Sequence, residues 1–99
     1  MAKFDVYPHP DGPGYLLDCQ ADLLSGLNTR FVVPLLPFEI APPPAARLNP
    51  VFEIAGQRCV MATQFAGTIA RKRLGDCIVS LAADDVTITD AIDMLLSGY

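Results

Sequence analysis

The one sustained helical period in this chain occupies its last nineteen residues, Leu81 to Tyr99, and it decides what the rest can be. Ile88, Ala91, Ile92, Leu95 and Leu96 recur at spacings of three and four on one face, while Asp85, Asp90 and Asp93 lie elsewhere. Such an amphipathic helix needs an apolar surface to lie on, so the residues before it have to supply a sheet. Asp84, Asp85, Thr87 and Thr89 are suited to begin the helix and Gly98 to end it.

The preceding residues read as short strands cut by turns. Phe4 to Tyr7 alternates apolar and polar, and Pro8, Pro10, Gly12, Pro13 and Gly14 end it. Tyr15 to Leu23 alternates again, with Leu17, Cys19, Ala21 and Leu23 on one face and Asp18, Gln20 and Asp22 on the other. Ser25 and Gly26 turn the chain into a third strand, Arg30 to Leu36, whose Pro34 has to sit at an edge or a bulge. Pro37, Pro42, Pro43, Pro44 and Pro50 make residues 37 to 50 a stiff surface connection. Val51 to Ala55 and Arg58 to Thr63 flank Gly56 and Gln57 as a hairpin. Thr68 to Leu74 predicts another strand, carrying the basic run Arg71, Lys72 and Arg73, and Cys77 to Leu81 a last short one. The basic run is either a solvated face or a docking site for an acidic peptide. Six or seven short strands and one terminal helix predict a single mainly-β domain over residues 1–99, a small partly open barrel with the helix packed on it.

Composition narrows the function classes. A hydrophobic fraction of 52% in 99 residues exceeds what so small a core hides, which predicts a homodimer. The net charge of -4 argues against direct nucleic-acid binding, which draws on basic patches. Cys19, Cys59 and Cys77 form no C-x-x-C pair and sit in apolar runs, predicting buried thiols in a reducing compartment. The opening MAKFDVYPHP carries charge and proline where a signal peptide needs an apolar stretch, and no apolar run approaches the roughly 20 residues of a membrane span. A cytoplasmic protein with no membrane association is expected.

No catalytic signature accompanies this. The G-x-x-x-x-G-K, G-x-S-x-G and H-E-x-x-H patterns are absent, and His9 has no nucleophile beside it in sequence. Asp18 and Asp22, four residues or roughly 13 Å apart along a strand, are too distant to share a proton, and are solvated or paired with Arg30 across the sheet. A protein that binds rather than catalyses, without cofactor or metal, is the expectation.

Taken together in order, FDVY at Phe4 to Tyr7, DCQADLL at Asp18 to Leu24, TRFVVPL at Thr29 to Leu35, LNP at Leu48 to Pro50, MAT at Met61 to Thr63 and AIDMLLSGY from Ala91 resemble the CcdB family of toxins. The resemblance runs over nearly the whole chain, and its specificity lies in the collinear set. It implies an SH3-like β-barrel with a C-terminal helix, assembled as a homodimer. It further implies poisoning of DNA gyrase through the gyrase A subunit, by trapping the complex in which DNA is cut, and neutralisation by a CcdA-like antitoxin that lays a disordered arm over the toxin. The family's gyrase-contacting tryptophan, glycine and isoleucine correspond to Ser97, Gly98 and Tyr99, so glycine is kept and the tryptophan is replaced. Leu23, Leu24, Asp93 and Leu95 match positions at or beside the dimer and target surface. The loop Pro8 to Gly14, with Pro8, His9 and Asp11, occupies the place where the family closes over the antitoxin, and Arg71, Lys72 and Arg73 join it as candidates for meeting an acidic arm. Two rivals remain open at this point: a weak or inactive relic that still binds antitoxin and regulates its operon, and a MazF-like endoribonuclease, which shares the barrel and would depend on Arg30.

Overall fold

The computed structural model describes residues 1–98 and contains seven strands and one α-helix. The strands are β1 (Asp5–Pro8), β2 (Tyr15–Asp18), β3 (Thr29–Pro37), β4 (Val51–Ile54), β5 (Gln57–Met61), β6 (Gly67–Ala70) and β7 (Val79–Ser80), followed by α1 (Asp85–Ser97). All pairings are antiparallel and form one sheet in the order β4-β5-β3-β2-β1-β7, with β6 added on β3. This is the mainly-β, nearly closed barrel with a terminal helix that the patterning predicts.

The barrel is built around β3. Along one edge it pairs with β2, in register Leu17↔Val33. Along the other, Leu35 to Pro37 pair with β5 and Thr29 to Val32 with β6. Pro34 sits where β5 hands over to β6, so its missing N–H breaks neither ladder, and its carbonyl accepts from Ala62 N at 2.8 Å. The β4–β5 hairpin turns at Ala55 and Gly56, both at positive φ, one residue before the predicted turn and in the mirror-image geometry that suits tight hairpins.

Val6, Leu17, Val33, Leu35, Ile54 and Met61 point inward with no solvent exposure, and Ile88 and Ala91 of α1 close the same core. Each such aliphatic side chain contributes about 1.5–3 kcal/mol by leaving water. A smaller cluster of Tyr7, Leu16, Val32 and Leu74 covers the opposite face of β1–β3.

Several predicted boundaries shift for identifiable reasons. The second strand stops at Asp18 rather than Leu23, because Gln20 folds back: its Oε1 accepts from Phe31 N and its Nε2 donates to Leu24 O. Asp22–Leu24 then form a 3-10 turn, and Leu23, expected on the inward face, is 93% exposed. Asp18 and Gln20 are buried instead of solvated. The strand expected over Thr68 to Leu74 ends at Ala70, and Arg71–Arg73 form a 3-10 turn. The helix begins at Asp85, after a 3-10 turn at Ala82–Asp84, and no side chain caps its first turn. Gly98 ends it as predicted, in the left-handed conformation at φ +75°, donating its N–H to Met94 O. Cys19 and Cys59 are buried, but Cys77, just before β7, is exposed.

The proline-rich connection is pinned from beneath. Asn49 is buried and fully used: its Oδ1 accepts from Ala45 N, and its Nδ2 donates to Met61 O and Gln64 Oε1. Thr63 Oγ1 donates to Leu48 O at 2.5 Å. On the outside, Arg47 makes two hydrogen bonds to Asp90, at 3.0 and 2.8 Å, tying the connection to α1.

Candidate functional site

The sequence candidates divide between two surfaces. The first is apolar. Beyond Ile88 and Ala91, the helix has more apolar surface than the barrel covers, and Leu95 and Leu96 are 41% and 75% exposed. Asp93 and Ser97 are exposed beside them, and Gly98 ends the helix in the left-handed conformation. Tyr99 lies outside the described residues. Leu23 and Leu24 project from their own 3-10 turn, with exposed Leu27 next along the chain. That turn is fixed to the barrel: Asp22 Oδ1 accepts from Lys3 N at 2.7 Å, and Leu24 O accepts from Gln20 Nε2. Among the described residues no hydrogen bond or ion pair joins this turn to the helix, so Leu23 and Leu24 are presented on a different element from Asp93, Leu95, Ser97 and Gly98.

Behind this turn in the hydrogen-bond network lies a buried ion pair. Arg30, two residues before Asp18's ladder partner Val32 on β3, and Asp18 both have zero exposure; Arg30 Nε donates to Asp18 Oδ2 at 2.8 Å. Nη2 lies 2.6 Å from the same oxygen but is poorly directed for a second hydrogen bond, and Nη1 has no hydrogen-bond partner among the described residues. Asp18 Oδ1 accepts from Gln20 N at 3.0 Å, so Asp18, Gln20 and Leu24 form a relay of hydrogen bonds from the core to the exposed turn. Of the two alternatives left open for Asp18, solvation or pairing with Arg30, the structure has the pair, and it lies in the core rather than facing solvent. Burial, reinforced by the Asp18 charge, pushes the neighbouring Cys19 thiol up to about 12, which leaves it protonated and inert.

The second surface gathers the loop and basic candidates. Pro8 ends β1, and the loop beyond it closes through His9 N–H donating to Gly14 O. Gly14 is required there: at φ +90° a Cβ would fall 2.3 Å from Leu35 O. His9 Nδ1 accepts from Asp11 N, and Asp11 in turn forms an ion pair with Arg73. The structure thus joins the two sets of predicted antitoxin residues directly. Between them runs a groove of about 210 Å³, with Leu16, Val32 and Ile69 inside and His9, Asp11, Phe65 and Arg73 also lining it. A second hollow of about 420 Å³ is lined by Asn28, Ala70, Arg71 and Lys72. Asn28, Phe65 and Ile69 were not singled out from sequence; exposed Phe65 is the one with a signal, as a large ring in a polar turn. Among the described residues there is no group of three His, Cys, Asp or Glu side chains able to hold a metal, and no helix is long and apolar enough to cross a membrane.

The strands and the terminal helix together define a small antiparallel β-barrel fold. The solved structure of the Mycobacterium tuberculosis toxin MazF-mt6 superposes with a TM-score of 0.73, covering 93% of each chain at 16% identity, a likeness of fold alone. No curated protein sequence matches the chain. A family model described as CcdB protein matches residues 3–98. The chain belongs to the CcdB family, toxins of toxin–antitoxin systems.

Proposed function

We propose that this CcdB family member is a gyrase poison, acting as a homodimer on the gyrase A subunit, and that it catalyses no reaction itself. The observation that carries the reading is the helix end: Leu95 and Leu96 remain exposed on a helix whose Ile88 and Ala91 are docked in the core, just before Gly98 terminates it. Leu23 and Leu24 offer a second apolar contact held by the Asp18 relay. An acidic chain that avoids DNA and meets it through a protein target fits the same scheme. A CcdA-like antitoxin then neutralises it in the cytoplasm by closing over the Pro8–Gly14 loop and the basic turn. Against the endoribonuclease alternative stands the burial of Arg30, whose guanidinium no RNA phosphate reaches without opening the sheet. Ser97 in place of the family's tryptophan keeps the relic alternative in play, and induction of the gene in a growing culture separates the two.

The deciding experiment is a supercoiling and cleavage assay of bacterial gyrase with ATP. Trapped double-strand breaks are expected with the intact protein and not with a form lacking Ser97, Gly98 and Tyr99. The truncated form should keep its fold and dimer, because residues beyond a terminated helix add little to a core. No breaks with a well-folded intact protein would overturn the reading.

A further inference from the structure

β6 pairs only with β3 among the described residues, so one of its edges is open. The phase of that edge follows from Phe31, whose N–H donates to Gln20 Oε1 and whose C=O accepts from Cys19 N, both on the β2 side. Thr68, opposite Phe31, is therefore at a non-hydrogen-bonded position of the β3–β6 ladder. Its N–H and C=O, and the N–H of Ala70 two residues on, point away from β3 to the open edge, while the Ala70 C=O begins the following 3-10 turn. Arg71 N donating to Asn28 O at 2.8 Å confirms the alternation.

The ends of this edge differ in chemistry. Thr68 itself lines the groove, together with Val32, Phe65 and Ile69. Beside Ala70 lies the hollow of Asn28, Arg71 and Lys72. Arg30, Arg47 and Arg73 each face an aspartate, whereas Arg71 and Lys72 have no carboxylate partner among the described residues. Arg71 Nη1 is anchored to Ser25 O at 3.1 Å, which holds the guanidinium at the hollow. Two uncompensated cations at one end of an open strand edge, on a protein of net charge -4, are too few for a nucleic-acid backbone and suited to a short run of carboxylates.

We propose that the open edge of β6 takes an extended acidic peptide as an added strand, with an apolar side chain in the Ile69 groove and carboxylates on Arg71 and Lys72. Main-chain hydrogen bonds to Thr68 and Ala70 supply affinity, and the two hollows supply register and charge selectivity. The partner's identity as the antitoxin arm rests on the toxin–antitoxin reading; the binding chemistry does not, and it is measured without gyrase.

The probe is a fluorescein-labelled peptide of alternating Val and Glu, followed by anisotropy against the full chain, beside a Val and Lys peptide of equal length and a single-stranded DNA oligonucleotide. The Val–Glu peptide should bind, and more weakly as salt rises. Arg71→Glu with Lys72→Glu should weaken it by about tenfold or more, since charge-assisted contacts become repulsions. Ala70→Pro is the sharper variant: Ala70 already has φ -63°, which proline adopts, so the substitution removes only the outward N–H. It should lower affinity while circular dichroism and the unfolding midpoint stay unchanged. Equal binding of the Val–Lys peptide, tighter binding of DNA, or unchanged affinity in either variant would overturn the proposal. A negative gyrase assay would leave these results standing, and a positive one would not rescue their failure.

Discussion

Replacing Asp18 by leucine removes the carboxylate that faces a guanidinium with no solvent exposure. The remaining Arg30 charge would then be buried without compensation, a loss of about 3–5 kcal/mol. The Gln20 N–H would lose its acceptor as well, adding about 1 kcal/mol. A domain of this size has roughly 5–15 kcal/mol in total, so a loss of about 4–6 kcal/mol takes about a quarter of it or more. With a urea slope of about 1–3 kcal/mol per M, the unfolding midpoint should fall by about 1–6 M. Asp18→Leu combined with Arg30→Met should recover most of that loss, because a buried pair exchanged for apolar groups is often neutral or stabilising by about 1–4 kcal/mol. The double variant would still lack the acceptor that fixes Gln20 and, through it, Leu24, and should bind gyrase more weakly at near-normal stability. A single-variant loss below about 1 kcal/mol, or a double variant as unstable as the single, would refute the reasoning that the pair is buried and charged.

Gly14→Ala should destabilise the fold by about 1–3 kcal/mol, from positive φ and a Cβ driven against Leu35 O, and a melting temperature within a degree of the parent would contradict it. A disulfide reagent should label Cys77 promptly and Cys19 and Cys59 only in denaturant, since burial raises both thiols; a second fast thiol in the native protein would show otherwise. The Arg47 hydrogen bond holds the Asp90 carboxyl below its usual range, so this pair's contribution is present above the unfolded carboxylate value near 4 and lost as pH falls through the lowered folded value. Both groups are solvent-facing, so the effect is small and screened, and Arg47→Ala should flatten the acid side of a melting-temperature profile, an unchanged profile counting against the link.

Strand count, antiparallel class and the terminal helix were legible because they rest on local pattern: alternation in β1 and β2, the short turn at Gly56 in the β4–β5 hairpin, and three-and-four spacing at Ile88 and Ala91. What misled was alternation without burial. Residues 19 to 23 continue the pattern of β2, but Gln20 takes the backbone amide of Phe31, and a side chain standing in for a strand cannot be read from polarity. The same limit applies at Arg71–Arg73, where a 3-10 turn follows β6. Of the candidate residues, His9, Asp11 and Arg73 converge, although 62 positions separate Asp11 from Arg73. Their pairing depends on how the β1–β2 loop and the segment after β6 meet, which composition does not encode. Leu95 lies on its expected helix face and is 41% exposed, on the part of the apolar stripe beyond Ile88 and Ala91.

The arrangement of β3 also sets when the molecule can exist. Its first edge is served by β2, encoded only a short loop upstream, but its second edge waits for β5 and then β6, ending at Ala70. A chain emerging from the ribosome therefore carries a half-saturated central strand until some seventy residues are exposed, and the helix that closes the core comes later still. Closure of the core therefore waits for Ile88 and Ala91, so a chain cut short of them is left with an open barrel face, a fragment for proteolysis rather than a folded domain.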